Sequence, residues 1–441
     1  MYGGYMMKRL NLALVVMLVL VMSATSALAY VSDRHDFGEI DFEGATVTFV
    51  AHFDNLTAFY EGGAHAGRLE EAKELFNIGE IEMVSTDWGS VGELALNRYL
   101  AGDSRYDIWR LPHHVFFQLA TRGAFFPVNT ILPEEYFEYL SPITQHKNQM
   151  LAQDGNLFHF SAGVPDDFGH MVFLVVNLDI FEDENLPDPF DLYYDGEWTF
   201  DTLEEIMSKV TRDTDGDGVI DQWGTITPDP VNLIYANGGA ITRIDDDGKV
   251  IFTMNEPETI EALRIYNEWF EVQGYGVGGH EMIEWSNGQT AMAFMPFWQI
   301  NPSEYDFDFA VLPLPKGPNA DDYIFSPGVA DALFIPQNSA YPEGLIALDN
   351  FLFPLDEYWE ALDNAIADRA LDRDSFGVML DGVEFADRDA AYYHDFLGGR
   401  WDGGTPYADI VSGVLEGRPP ATVVNEYVQQ AQAMIDEVLK Q

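Results

Sequence analysis

Gly196–Gly224 reads GEWTFDTLEEIMSKVTRDTDGDGVIDQWG. Its first half has helical spacing. Phe200, Leu203, Ile206, Met207 and Val210 recur at steps of three and four, which places them on one face of a 3.6-residue helix. Glu204, Glu205, Ser208 and Lys209 fall elsewhere on that wheel. Thr199 or Asp201 supplies the side-chain oxygen that accepts an orphan amide at the helix start. The second half sets acids at alternate positions, Asp213, Asp215 and Asp217, and then Asp221. Gly218 is the sixth residue of that loop, Val219 the seventh and Ile220 the eighth. A calcium loop has this spacing: alternate carboxylates, a glycine for the sharp turn, a seventh-position carbonyl from Val219 and a ninth-position oxygen from Asp221. The twelfth residue, where a hand-type loop is closed by a bidentate glutamate, is Gly224, and no second amphipathic helix follows. The residues alone therefore describe a calcium loop grafted into another fold, or else a solvated acidic turn. The glycine and isoleucine in register favour the metal.

The longer run LPDPFDLYYDGEWTFDTLEEIMSKVTRDTDGDGVIDQWG, Leu186–Gly224, resembles the extracellular solute-binding proteins of bacterial carbohydrate ABC importers, the maltose-binding-protein-like family. The likeness continues through NGQTAMAFMPFWQINP (Asn287–Pro302) and FDFAVLPLPKGPNADDYIFSPGVADALFIPQNS (Phe307–Ser339), and it covers most of the chain. The resemblance implies an α/β fold of two lobes, a ligand cleft between them and about three crossings of the chain. It also implies a sugar ligand and a membrane permease as partner. Some relatives close the DTDGDG loop as a structural calcium site, and there the residue after the ninth position, here Gln222, also ligates.

The amino terminus has the form of a secretion signal. Lys8 and Arg9 precede an apolar run from Leu10 to Met22, and Ala27-Leu28-Ala29 fits signal peptidase, with cleavage before Tyr30. The apolar run is shorter than the ~20 residues that a spanning helix needs. The chain has no cysteine, hence no disulfide and no residue to carry a lipid anchor. A protein free in a periplasm, or released from the cell, is expected. The expected parts are a signal peptide over 1–29, an N-terminal lobe over 30–166 plus 328–355, and a C-terminal lobe over 167–327 plus 356–441.

With 74 acidic and 22 basic residues, the formal charge is −52, and loss of the leader removes Lys8 and Arg9 as well. Nucleic acids and anionic membrane surfaces are excluded as partners, because phosphate binding is driven by basic residues. A chain this acidic repels itself and holds its fold best in salt, and a monomer is expected. Apolar residues make up 47%, enough for a large core.

Strand and helix signals alternate over the first hundred residues of the expected mature chain. Ala45–Val50, Ile81–Val84 and Asp107–Leu111 read as strands, and Arg68–Phe76 and Val91–Leu100 as helices. Alternation implies a parallel sheet, and ligands sit beyond the carboxyl ends of its strands. Asp54, Trp88 and Arg110 stand at those ends. By resemblance, YDIWRLPHHVFFQLATRGAFFPV (Tyr106–Val128) places Leu111 and His114 where the maltose protein has a stacking Trp and a hydrogen-bonding Asp. Leu111 departs from that pattern and speaks against maltodextrin itself. The same resemblance sets His170 near a sugar-contacting acid and Trp298 where relatives stack a sugar ring. It also sets Arg400 and Trp401 where the C-terminal lobe brings a third stacking residue. Further on, Asn255 and Glu258 are spaced as a capping box, and Trp269 falls on the apolar face of the helix that follows.

The expected function is capture of a neutral oligosaccharide or polyol, without catalysis. A secreted glycosidase or lyase is the alternative; it needs two carboxylates across a scissile bond. Among 74 acids a chance pair is easy to find, but no nucleophile elbow or H-E-x-x-H motif accompanies one. A surface scaffold stabilised by calcium is a third reading. Mass spectrometry of the secreted protein is expected to show an unlipidated chain beginning at Tyr30; an intact Met1 overturns the leader.

Overall fold

The computed structural model describes residues 29–153, 155–161, 170–245, 247–279, 282–325, 331–385 and 405–439. The leader, the expected return crossing near Ser326–Ala330, and Arg400 and Trp401 lie outside them.

Strands form where β-branched and aromatic residues run together. β1 (Thr46–Ala51), β2 (Glu80–Ser85) and β3 (Asp107–Pro112) are parallel, with β1 between the other two. The chain then builds a second sheet from β4 (Val172–Asn177), β5 (Trp223–Ile226), β6 (Gly276–Val277), β7 (Thr290–Pro296) and β8 (Phe309–Leu312), in the order β6-β5-β7-β4-β8. β4 runs antiparallel to both its neighbours, while β5, β6 and β7 are parallel. β9 (Asp331–Phe334) returns to the first sheet and lies antiparallel on β3, with Asp331 opposite Pro112. The molecule is thus a two-lobed α/β protein, and its chain passes between the lobes three times: after Ser161, between Phe325 and Asp331, and at Leu352–Leu355.

The helix Phe200–Val210 buries all five residues of its apolar stripe. Each such side chain contributes ~1.5–3 kcal/mol by leaving water. Thr199, not Asp201, caps it, its hydroxyl accepting from the Thr202 amide. Just before it, the buried Trp198 donates Nε1–H to the Pro313 carbonyl at 3.0 Å. Lys316 then exchanges backbone hydrogen bonds with Trp198 and Phe200. These contacts clamp the Pro-rich link after β8 onto the second lobe.

Tyr30, the expected first residue after cleavage, packs on Phe37, Phe76 and Phe351 in the core of the first lobe. Beyond the third crossing, helices Leu355–Ala367 and Arg373–Phe385 supply Tyr358, Leu362, Ile366, Met379 and Val383 to the core under the second sheet. Arg68 pins that crossing. Its guanidinium donates to both oxygens of Glu357 at 2.7 Å and to the Leu352 carbonyl at 2.9 Å. One sequence expectation fails here. The helix Pro257–Asn267 has Glu256, not Asn255, at its N-cap, with no side-chain cap bond. Pro257 sets the first helical turn, because its fixed φ suits that position and it has no amide to satisfy.

Candidate functional site: the cleft and the acidic loop

The parallel strands of the first lobe end together. β1 runs into His52, Phe53 and Asp54, β2 leads to Trp88, and β3 ends at Arg110, Leu111 and Pro112. β9 starts at the same edge, because it is antiparallel to β3. Arg110 and Asp331 are therefore neighbours, although 221 residues separate them. Arg110 Nε donates to Asp331 Oδ2 at 3.0 Å, and both residues are buried. His52 Nε2 lies 3.9 Å from the same oxygen. The Phe53 ring covers the guanidinium at 4.6 Å, a cation–π contact. Lys147, fully buried on the helix Pro142–Met150, donates to the Asp331 backbone carbonyl at 2.7 Å.

Three rings come together across the two lobes, two of them stacked and the third tilted. His52 meets Trp88 edge-on at 4.8 Å. From the second lobe come His170, just before β4, and Trp298, just after β7. His170 lies 6.1 Å from Trp88 with planes 14° apart, and 6.4 Å from Trp298 at 42°. One imidazole thus stands between an indole of each lobe. Trp88 is 37% exposed and Trp298 45%, so two large apolar faces stay wet at this place. In the second lobe a cavity of about 240 Å³ opens at the carboxyl ends of β5 and β6. Thr227, Asp229, Asn232, Met282, Phe294 and Gln299 are among its lining residues.

Of the residues expected at a ligand site, the structure brings together Trp88, Arg110, His170 and Trp298. Asp54 is placed beside them, but its Oδ1 accepts from the Leu56 amide at 2.9 Å and the Tyr60 hydroxyl at 3.2 Å, which holds the turn after β1. His114 sits in the first turn of the helix His113–Ala120, and its side chain is outside the description. Leu111 is fully buried in the core, so a stacking residue at this position would point away from the cleft. His52, Phe53, Asp331 and the cavity residues were not singled out from sequence. His52 and Phe53 stand at a strand end already read as one, and that was the signal available for them. Asp331 had no comparable signal.

The acidic loop is closed at its neck by an antiparallel bridge between Arg212 and Gln222. Gly216 and Gly218 take φ of 82° and 91°, a left-handed backbone that side chains resist. Asp213 accepts from the amides of Gly216 and Gly218, each at 2.6 Å, and these bonds hold its carboxyl below the usual range. Asp215 and Asp217 accept from the amides of Asp217 and Val219. Asp221 accepts from the amide and hydroxyl of Thr214. Asp213, Asp215 and Asp221 each bring one oxygen within 4.8 Å of the others; Asp217 is not in that trio. The Gln222 amide nitrogen donates to Glu184 and to the Val210 carbonyl. The donors are all oxygens, which suits a hard cation such as Ca²⁺.

A model of the family described as bacterial extracellular solute-binding protein matches residues 66–353. The chain belongs to that family. No curated protein matches the sequence. Among solved structures, it is similar to an ABC substrate-binding protein from Listeria monocytogenes in complex with cycloalternan. Identity is 16%, coverage 90% of this chain and 99% of that one, and the TM-score 0.61. It is also similar to the maltose/maltodextrin-binding domain from Bdellovibrio bacteriovorus bound to maltotriose, at 17% identity, 90% and 100% coverage and a TM-score of 0.60. A third is an ABC transporter solute-binding protein from Agrobacterium radiobacter in complex with ribitol, at 16% identity, 89% and 100% coverage and a TM-score of 0.60. At these identities the likeness establishes the two-lobed fold.

In this solute-binding protein the Arg110–Asp331 pair joins the two strands that complete the first lobe's cleft edge. Removing one partner of a buried ion pair strands the other charge. Arg110→Ala is expected to cost ~3–5 kcal/mol of stability. Arg110→Ala combined with Asp331→Ala is expected to recover much of that loss. Thermal and denaturant melts of the three proteins check it; equal melting of the single variant and the wild type would remove the pair from the account.

Proposed function

We propose that this solute-binding protein captures a neutral oligosaccharide or polyol in the cleft and delivers it to the permease of an ABC importer. It works as a monomer outside the cytoplasm, free of lipid, and it catalyses no reaction. The observation that carries the reading is the ring cluster Trp88–His170–Trp298, built from both lobes. A sugar ring offers apolar C–H faces and a rim of hydroxyls. Indole faces suit the former, and His, Asp and Asn side chains suit the latter. Because the rings come from two lobes, a ligand that displaces His170 and lies between the indoles binds the closed form better than the open one. That difference in affinity drives hinge closure. The structurally similar proteins were solved with cycloalternan, maltotriose and ribitol, all uncharged polyhydroxyl compounds. A net charge of −52 also disfavours anionic solutes.

Tryptophan fluorescence and calorimetry with maltotriose, galactotriose, mannotriose, cycloalternan and ribitol test the reading. Reversible saturation without product is the expected result, and product formation would make the protein an enzyme. Trp298→Ala is expected to weaken binding by ~1–3 kcal/mol, by analogy with base stacking on an aromatic ring, with unchanged circular dichroism. Normal binding makes Trp298 a bystander, and an unfolded variant makes it a core residue.

We infer also that the loop holds one structural Ca²⁺. Asp213, Asp215, Asp217 and Asp221 would ligate it with the Val219 carbonyl and an oxygen from Gln222. Bound calcium would remove the mutual repulsion of four carboxylates in one turn. Lacking the twelfth-position glutamate, the loop has no closing stroke, so the ion stabilises and does not signal. Chelation is expected to lower the melting temperature, because an ion bound only to the folded state adds RT ln(1 + [L]/Kd). Calcium should restore it better than magnesium, which demands a smaller octahedral shell. The control is Asp215→Asn with Asp217→Asn. If that double variant keeps the full calcium-dependent shift, the ion is screening the acidic surface and the loop is not its site.

A further inference from the structure

We propose that Asp331 sets the charge selectivity of the cleft: its Oδ1 accepts a hydroxyl of an uncharged sugar and repels sugars that carry a carboxylate. The proposal rests on the sugar-binding reading above and adds to it a residue and a ligand class.

Asp331 is the first residue of β9, opposite Pro112 at the carboxyl edge of β3. It stands where ligands meet such sheets, in the same cluster as His52, Phe53 and Arg110. Its two oxygens are treated unequally. Oδ2 receives Arg110 Nε and faces His52, and the residue's backbone carbonyl receives Lys147. Oδ1 is buried and has no hydrogen-bond partner among the described residues. Asp331 as a whole is 7% exposed. A carboxylate whose only task is to pair with an arginine commonly takes the guanidinium fork with both oxygens. Here Oδ2 holds the Nε contact and Oδ1 is left over. A buried ionic oxygen without a donor is costly and rare in folded proteins. A donor from outside the described residues would satisfy it. In a solute cleft that donor is the solute.

The neighbouring charges decide what kind of donor fits. Arg110 is engaged by Asp331 and covered by Phe53. Lys147 is fully buried and directed at the Asp331 backbone. Among the described residues, both cations at this edge are thus engaged, Arg110 with the Asp331 carboxylate and Lys147 with its main chain. A ligand carboxylate placed here would face Asp331 in a medium of low dielectric, where like charges repel far more than in water. A sugar hydroxyl would instead make a charge-assisted bond to Oδ1.

Calorimetry on the full mature protein tests this with maltotriose, galactotriose and mannotriose, each beside its form with one primary alcohol oxidised to a carboxylate. The wild type is expected to bind the best neutral trisaccharide at least ~100-fold more tightly than its oxidised form. In Asp331→Asn the amide oxygen keeps the contact with Arg110, and an N–H donor replaces the acceptor at Oδ1. Neutral binding should fall ~10-fold or more, as expected for loss of one hydrogen bond to a charged group. Binding of the oxidised sugar should rise, so the preference collapses. An Asp331 that merely supports the fold would lower both affinities together and leave their ratio unchanged; that result overturns the proposal. Equal binding of neutral and oxidised sugar by the wild type overturns it too, without any variant and even if Asp331→Asn fails to fold. If the wild type binds none of these sugars or the wider sugar panel, the sugar-binding reading itself falls and takes the proposal with it. That outcome is distinct from sugars that bind with no regard to Asp331.

Discussion

β9 lies against β3 only after the chain has left the first lobe, built a five-stranded sheet and come back. That antiparallel pairing closes the first sheet, and the buried ion pair of Arg110 with Asp331 reinforces it at the cleft edge. Much else follows from it. Another passage between the lobes follows at Leu352–Leu355, where Arg68 grips Glu357. The helix Pro142–Met150 lies by the β3–β9 pairing, sending Lys147 to the β9 backbone and Ile143 into the second lobe's core.

The cleft reconciles two opposing demands. The chain is strongly acidic, with a net charge of −52, and such a field disfavours anions. In the proposed reading, the rings of Trp88, His170 and Trp298 would meet the solute through their faces, and ring contact does not depend on the sign of the field. The charged groups at the same edge are largely turned on one another. Arg110 is covered by Phe53 and paired with Asp331, so the pair adds little net field of its own. A site of this kind suits a solute that is polar at its rim and apolar on its faces.

The acidic loop stands apart from that cleft, yet it belongs to the same local design as the helix before it. The helix Phe200–Val210 anchors its stripe in the core, and the Arg212–Gln222 bridge hands the chain on to β5. Glycines with left-handed backbone turn the loop, and its own amides hold Asp213 ionised. A cation there would tighten the connection between a buried helix and a buried strand without reaching the ligand.

What the sequence determined by itself was what depends on neighbours in the chain. The stripe from Phe200 to Val210, a helix cap at Thr199 or Asp201, the strands at β1 to β3, the alternate acids of the loop and the strand-end positions of Trp88 and Arg110 all follow from spacings of two, three or four residues. Trp298 was reached differently, through a family-like run, at the end of a strand. Where two local signals competed, the reading failed: Asn255 looked like a cap, but Pro257 starts the helix one residue later than that cap requires. What only the tertiary structure decided are the meetings between distant segments. Nothing near Asp331 in the chain marks it as a partner of Arg110, and nothing near Leu111 says that its side chain turns into the core. Nor does any local pattern set His170 between two indoles. Such meetings depend on strand register and on which face of a sheet a residue takes, and both are settled by pairing across hundreds of residues.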